Sequence, residues 1–552
     1  MATAFDTHEV TNQPPPLVGH DVFGSDVPLT EAVERHGPRW ASDELTELGR
    51  VAGSAEAQTW GRQANENPPA LHTHDRYGNR LDTVEYHPAY HELMRTAISH
   101  GIHAAPWIDD RPHAHVARAT KMIIWYQVDA GHTCPISMTY SVVPALAAEP
   151  HVAEEWVPRI ASRTYDPRNV PATEKDGVTC GMAMTEKQGG SDVRANTTTA
   201  RPAGGGASGT PYLLTGHKWF CSAPMSDAFL MLAQAPGGLS CFWVPRWRPD
   251  GGRNPVRIQR LKDKLGDRSN ASSEIEMADA WGLLIGEEGR GVRTIIEMVN
   301  RTRLDCVLGS TAIMRQGVAQ ATWHTHHRKA FGAVLDEQPL MMNVLADLAL
   351  ESEAATACAL RLARAFDAGK DDPREFALAR LATPIVKYWV SKRAPAHAAE
   401  ALECLGGVGY VEETGMPRLF RQSPLNGLWE GSGNVMCLDV LRAMAREPAA
   451  LDAFWAEVEQ AAGVDARLDA ATAGLRKELG DLEGMESRAR RIVEMMASLL
   501  SASLLVRHAS HDVADAFCAS RLAGDWGRAF GTLPSGLSLR AIIDRNRPVI
   551  DG

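Results

Sequence analysis

The sequence predicts an α+β protein in which a β domain lies between two helical regions and a further helical region follows them. Three observations predict it. Apolar residues recur at helical spacing through most of the first 177 positions, short strand-like runs cluster between about 178 and 290, and helical spacing returns from Gly291 onward in a chain of 552 residues. The expected division is 1–177, a helical domain opening on an extended arm; 178–290, a β domain; 291–446, a helical bundle; and 447–552, an additional helical domain.

Pro14-Pro15-Pro16 marks the arm, which either packs on its own domain or reaches a neighbouring subunit. Helices are expected over Asp43–Gln63, His87–His100 and Ala114–Ala130, the last with Met122, Ile123, Tyr126 and Val128 at apolar positions. Strands are expected over Tyr212–Phe220, Ala228–Ala233, Leu239–Val244, Arg257–Leu261 and Ser273–Met277, punctuated by Gly, Pro, Asn and Asp. Helical spacing then covers Arg303–His327, Leu340–Asp367, Glu375–Leu405 and Asn434–Arg446, and Pro448 interrupts it.

Hydrophobic residues make up 44% and charged residues 23%, as in an ordinary soluble globular protein. The net charge of −11 supplies no global attraction to nucleic acid or to an anionic membrane. The longest apolar helical run, Ile492–Val506, contains Glu494 and is shorter than the about 20 residues a membrane span needs, so it reads as a core helix. The nine cysteines are scattered and never spaced C-x-x-C, which argues against a disulfide framework and a zinc ribbon. The first residues lack a basic-then-apolar leader. A cytoplasmic protein with no membrane association is expected.

Several motifs bear on chemistry. Gly204–Gly209 matches G-x-G-x-x-G, but a strand follows it where a dinucleotide fingerprint needs a helix, so it reads as a hairpin loop. His324 and His327 stand three apart, yet no carboxylate or cysteine joins them in a metal pattern, so no metal site is expected. Gly181–Val193 runs from a strand end into a polar turn with paired glycines, whose freed amides suit a polar heterocycle or a phosphate. Lys218-Trp219-Phe220-Cys221-Ser222 ends a strand with two aromatics, a thiol and a hydroxyl. Arg328–Gln338 lies between helical stretches, and Leu405–Tyr410 is a glycine-rich loop after a helix. In Leu428–Asn434 a glutamate, Glu430, sits in a glycine-rich turn beside Trp429 and ahead of a helix. A helix N-terminus favours its ionised form, whereas burial beside the indole opposes it.

In this order and spacing, M-T-E-x-x-x-G-S-D-V, K-W-F-x-S, R-x-x-F-G, L-G-G-x-G-Y and W-E-G-S-G resemble the acyl-CoA dehydrogenase superfamily. The resemblance implies that family's fold: an N-terminal helical domain, a middle β domain and a C-terminal bundle. It also implies an FAD cofactor and a homotetramer. It implies that Met182, Ala183, Met184 and Thr185, with Gly190 and Ser191, line the flavin, and that Trp219, Phe220, Cys221 and Ser222 lie against the isoalloxazine. Arg328, Phe331 and Gln338 would act at the cofactor, Arg328 and Gln338 reaching it from a neighbouring subunit, and Gly406 and Gly407 would lie at it as well. Leu428, Trp429, Gly431, Ser432, Gly433 and Asn434 would hold it again. Glu430 matches the catalytic base, and Thr185, Ser191, Ser222 and Arg303 would face the acyl-CoA or other small-molecule substrate. These residue types suit the reaction: dehydrogenating Cα–Cβ of a thioester needs a base at one carbon, a hydride acceptor at the other and fixed donors for the developing enolate.

Asn12-Gln13-Pro14, Asn67-Pro68-Pro69, Cys134–Thr139 and the Glu186-Lys187-Gln188-Gly189-Gly190 form of the flavin loop are similar to an alkylation-response branch of that family, and the likeness extends into the last hundred residues. That branch implies binding of double-stranded DNA through the C-terminal region, with Arg442, Arg507, Arg521 and Arg528 as candidates, alongside weak dehydrogenase activity. From Leu451 onward, however, 12 basic residues face 15 acidic ones, unlike an ordinary DNA-binding domain. The alternative is a metabolic dehydrogenase of short or branched acyl-CoA thioesters without a DNA role.

Overall fold

In the computed structural model, which describes residues 7–204 and 208–550, the chain forms two compact units. One comprises residues 56–309 with 428–435, the other residues 1–55, 310–427 and 436–552.

The first unit is built on strands. β1 (Ala70–His74) and β2 (Arg80–Glu85) form an antiparallel hairpin inside the region expected to be mainly helical. β3 (Cys180–Ala183), β4 (Thr199–Pro202), β5 (Pro211–Ser222), β6 (Ala228–Ala235), β7 (Gly238–Pro245), β8 (Val256–Leu261) and β9 (Ser272–Ile285) make one sheet. Its order is β3-β6-β4-β5-β9-β7, with β8 on β9. β7 pairs back onto β6, so the path β6-β4-β5-β9-β7 closes into a barrel. The expected strands are all present, and β4 precedes the glycine-rich segment as well. β4 and β5 pair antiparallel through Pro202 and Tyr212, as a hairpin requires; residues 205–207 of that segment lie outside the described residues.

Strand alternation explains why β6 and β7 read as unbroken apolar runs. Leu230, Leu232, Cys241 and Trp243 face one buried cluster with Met138, Trp156 and Met182. Phe229, Met231, Phe242 and Val244 face the other, with Tyr212, Leu214 and Ile275 inside the barrel. A strand buried on both faces has no polar side to show. Gly216 interrupts β5 at a register shift with φ 151°, where an added Cβ would strike Thr198.

The second unit is helical. Its long members are Pro339–Ala368, Pro373–Glu403 and Met485–His508, with the later part of the 37-residue helix Gly291–His327. The run Ile492–Val506 is buried among them, as expected, with Ile492, Val493, Met496 and Leu500 at 2% exposure or less. Residues 447–550 thus pack on the bundle helices within one unit. The proline arm packs on its own chain: the Trp323 indole donates to the Pro15 carbonyl at 2.7 Å. The loop near Arg528 is latched by Asp347, fully buried, which accepts from Arg521, from the Trp526 indole at 3.0 Å and from the Gly531 amide at 2.9 Å.

Asp347→Ala leaves the Arg521 guanidinium buried beside Glu351 alone. Removal of one partner from a buried pair costs about 3–5 kcal/mol, so limited proteolysis should cut within residues 523–536 several-fold faster than in the parent; equal cleavage rates would show that the loop is held by something else.

Candidate active site

The Glu430 turn belongs to the same unit as the barrel, and three contacts fix it there. Trp429 packs on the cluster that contains Met182 and, partly buried, Met184. The Thr302 hydroxyl lies 2.7 Å from Glu430 Oε2, and the Arg303 Nε donates to the Glu430 carbonyl at 3.1 Å. Thr302 and Arg303 come from the helix Gly291–His327, and Arg303 is only 7% exposed. It is thus no surface charge on that helix: it holds the backbone of the candidate base.

Glu430 has φ 58°, the left-handed region, and Gly431 follows at 103°. A non-glycine residue there carries about 1–3 kcal/mol of strain and persists only where its surroundings impose it. The clasp on both its side chain and its carbonyl does so. The helix Gly433–Arg446 starts three residues later. Thr302 Oγ1 also lies 3.0 Å from the Val299 carbonyl, and it has one proton for two acceptors. An ionised Glu430 takes that proton; a protonated Glu430 donates to Thr302, whose own proton then turns to Val299.

Beneath the Met184–Ser191 turn lies a buried ion pair. Lys218 Nζ, on β5, is 2.8 Å from Glu186 Oε1, and both side chains are fully buried. Lys218 also donates to the Leu232 carbonyl at 2.7 Å, while Glu186 accepts from Gln188 at 2.9 Å and from the Thr197 and Thr198 amides at 2.7 and 3.2 Å. Burial alone would raise the Glu186 carboxyl; the Lys218 ammonium and the amide donors overcome it and hold it well below the usual carboxylate range. Burial draws the Lys218 ammonium down. The loop is tied again where the Trp219 amide donates to the Thr185 carbonyl at 2.8 Å and Asn196 to the Met184 carbonyl at 2.9 Å. An added Cβ on Gly190 would strike Thr185, so the turn closes only with glycine there.

Around this loop the expected residues take distinct places. Met182, Ala183 and Cys221 are buried, Met184, Thr185, Trp219 and Ser222 are half-buried, and Ser191 is exposed. Phe220 is 47% exposed, with Lys262 Nζ 4.5 Å from its ring and 3.6 Å from that of Trp219. Ser222 lies 3.4 Å from Ser272, which accepts from Lys264. Exposed apolar Phe220 and Leu428 in one unit, with the loop amides and Ser222, fit a planar ring that has one polar edge, as an isoalloxazine does.

In the other unit, Arg328–Gln338 forms a small hairpin, β10 (Lys329–Ala330) with β11 (Ala333–Val334), rather than a plain helix–turn–helix. Phe331 is 99% exposed at its tip, and Gln338 donates to the Ala330 carbonyl at 2.9 Å. Gly406 and Gly407 open a 3-10 turn after the helix Pro373–Glu403, and Gly406 has φ 65°. His327 bonds the Trp323 carbonyl and His326 faces Asp336; no group of three metal-ligand side chains occurs among the described residues. Of the arginines expected at DNA, Arg507 is taken up by Glu457 and Gln460, and Arg521 by Asp347 and Glu351. Burial would raise Glu457, but Arg361 and Arg507 hold its carboxyl down at about 2. Neither Arg507 nor Arg521 is presented to a phosphate here, a correction that follows from the carboxylates facing them. Arg442 and Arg528 remain exposed.

Motif reading missed the roles of Thr302, Glu186 and Lys218, although the last two lie in quoted segments. The available signal was charge in the wrong place: Lys218 occupies a position in β5 where an apolar side chain would pack.

Lys218→Met leaves Glu186 buried without its cation and should lower stability by about 3–5 kcal/mol in denaturant unfolding. Lys218→Met combined with Glu186→Gln should cost clearly less than the two single losses added together; a fully additive double variant would disprove the coupling.

Comparison with known proteins agrees with this geometry. Residues 12–167 match the family described as the adaptive response protein AidB N-terminal domain, residues 181–280 the acyl-CoA dehydrogenase middle domain and residues 289–445 the acyl-CoA dehydrogenase C-terminal domain. The chain is 46% identical over 516 residues to the putative acyl-CoA dehydrogenase AidB of Escherichia coli (strain K12), covering 93% of this chain and 94% of that protein. It is 30% identical over 496 residues to acyl-CoA dehydrogenase family member 11 of Caenorhabditis elegans, covering 83% and 78%. The crystal structure of Caenorhabditis elegans ACDH-11 in complex with C11-CoA matches with a TM-score of 0.86 at 28% identity over 94% of both chains. The acyl-CoA dehydrogenase complexed with FAD from Bacillus anthracis shares the fold, with a TM-score of 0.63 at 18% identity over 83% of this chain and 86% of that one. With its barrel, its loop over a buried Lys–Glu pair and its clasped glutamate, the chain belongs to the acyl-CoA dehydrogenase family, in the AidB branch, and is an FAD-dependent oxidoreductase.

Proposed function

We propose that this protein dehydrogenates an acyl-CoA thioester at a flavin, with Glu430 as the base that takes the α-proton. The observation that carries the reading is the clasp of Thr302 and Arg303 on Glu430, which holds a strained carboxylate in place next to the core of the flavin loop. Bound FAD supplies the hydride acceptor for the β-carbon. Met182–Ser191, Trp219–Ser222 and Leu428–Asn434 hold it, and Thr185, Ser191 and Ser222 face the substrate. Arg303 acts through the Glu430 carbonyl. As the α-proton reaches Glu430, the Thr302 hydroxyl turns from donor to acceptor and its proton moves to the Val299 carbonyl, so the neutral acid stays hydrogen-bonded.

The C11-CoA held by ACDH-11 suggests a longer acyl chain than the short or branched one expected from sequence. Self-association as a homotetramer belongs to the reading and is supported by Phe331, Leu340 and Tyr410, which are 84–99% exposed. So does a neighbour's cofactor as the target of Arg328, Phe331 and Gln338, with Gly406 and Gly407. A cytoplasmic location is supported by nine free, buried thiols.

The second reading, a DNA-binding role in the alkylation response, is favoured by the 46% identity to AidB, which runs along nearly the whole chain. Arg442 and Arg528 carry it, since both are exposed, although Arg442 also lies 3.7 Å from Asp439.

Glu430→Gln should lower acyl-CoA turnover by about 10²–10⁴-fold, the worth of a general base, while FAD absorbance is retained; full turnover in that variant would remove Glu430 from the chemistry. Duplex-DNA binding measured over a salt series should weaken on Arg442→Glu with Arg528→Glu, with a shallower salt slope. Unchanged binding would rule out that face, and no binding at low salt would leave the dehydrogenase reading alone.

A further inference from the structure

The hairpin Lys329–Val334 is held by both extremities of its own chain, and we propose that Asn12 in the arm and Arg540 with Arg547 near the other end are positioning residues that set this hairpin for cofactor binding. The inference rests on the reading above that Arg328, Phe331 and Gln338 act at the cofactor.

Two strands of two residues each cannot define a pose alone. The turn joining them, Phe331-Gly332, has φ 52° and 83°, and its phenyl ring is almost fully exposed. The pose is imposed from outside. Asn12 Oδ1 accepts from the Lys329 amide at 2.8 Å and Asn12 Nδ2 donates to the Lys329 carbonyl at 2.8 Å, so one side chain satisfies the backbone N–H and C=O of one residue as a third strand would. The Asn12 carbonyl accepts from Arg328 Nη1, which fixes the guanidinium at the hairpin's base. Asn12 adopts φ 57° to do this, a conformation asparagine tolerates better than most residues.

On the other side, Asp336 is 1% exposed and follows the hairpin directly. It accepts from Arg540 at 3.4 Å and from Arg547 at 3.2 Å, and its carbonyl accepts a second bond from Arg540. His326 Nδ1 lies 3.0 Å from the same carboxylate. Between the two clamps, the Leu335 amide donates to the Arg328 carbonyl at 2.9 Å and Gln338 to Ala330. Residues more than 300 positions away on one side and 200 on the other thus converge on residues 328–336. Asn12 and Lys329 are both exposed, so loss of the amide uncovers no core and separates position from stability.

The test measures the FAD dissociation constant by flavin fluorescence, and thermal stability of the apoprotein, in the full chain. Asn12→Gly keeps the left-handed backbone and removes the amide; it should weaken FAD binding about tenfold, the worth of two surface hydrogen bonds, at an unchanged melting temperature. Arg540→Gln should act in the same direction from the other clamp. Gln338→Ala is the control for the reading itself. If Gln338→Ala weakens FAD binding and Asn12→Gly does not, the positioning role is wrong. If Asn12→Gly lowers stability and affinity in parallel, its role is structural only and the proposal fails. If neither variant changes FAD affinity, the hairpin is no cofactor element and the underlying reading falls with the inference.

Discussion

A lysine and a glutamate with no access to water underlie the whole site. Lys218 and Glu186 join the middle of β5 to the turn that follows β3, and Lys218 reaches the carbonyl of Leu232 on β6 as well. Two charges in that position are worth their desolvation only when every lone pair and proton is used, and here the Thr197 and Thr198 amides and Gln188 complete the set. The consequence is positional. The network holds the turn against β5 and β6.

The second constraint is geometric. Glu430 sits in a backbone conformation that a side chain resists, and the helix Gly291–His327 supplies the two contacts that hold it there. Thr302 touches the carboxylate and Arg303 the carbonyl, so the position of the candidate base depends on a helix more than a hundred residues away in sequence. Strain at such a residue fixes the direction of its carboxylate, which is what a base acting on one C–H bond requires.

The last hundred residues show how composition and placement differ. Their arginines suggest a basic surface, yet Arg488, Arg507, Arg521, Arg540, Arg545 and Arg547 each face carboxylates. Some tie this segment to the bundle: Arg521 to Asp347 and Arg545 to Glu353, while Arg507 pairs with Glu457, which in turn meets Arg361. A slight excess of acid over base is what such internal pairing looks like in sequence.

Much of this architecture is legible from the residues. The long helices follow from spacing alone, because each buries a continuous stripe, and β6 and β7 follow from apolar runs too short for helices. The Met184–Ser191 turn and the Glu430 turn are legible through glycines and polar residues packed into short segments. The β1–β2 hairpin is not, since exposed alternation such as Ala70–His74 carries no apolar period. Neither are the partners of Glu186, Thr302 and Asn12. Local sequence determined which segments become helix, strand or turn, because those depend on neighbours within a few residues. Only the tertiary structure decided which buried charge meets which, and which arginines face solvent, because electrostatic pairing acts through space between residues that the chain keeps 30 to 300 positions apart.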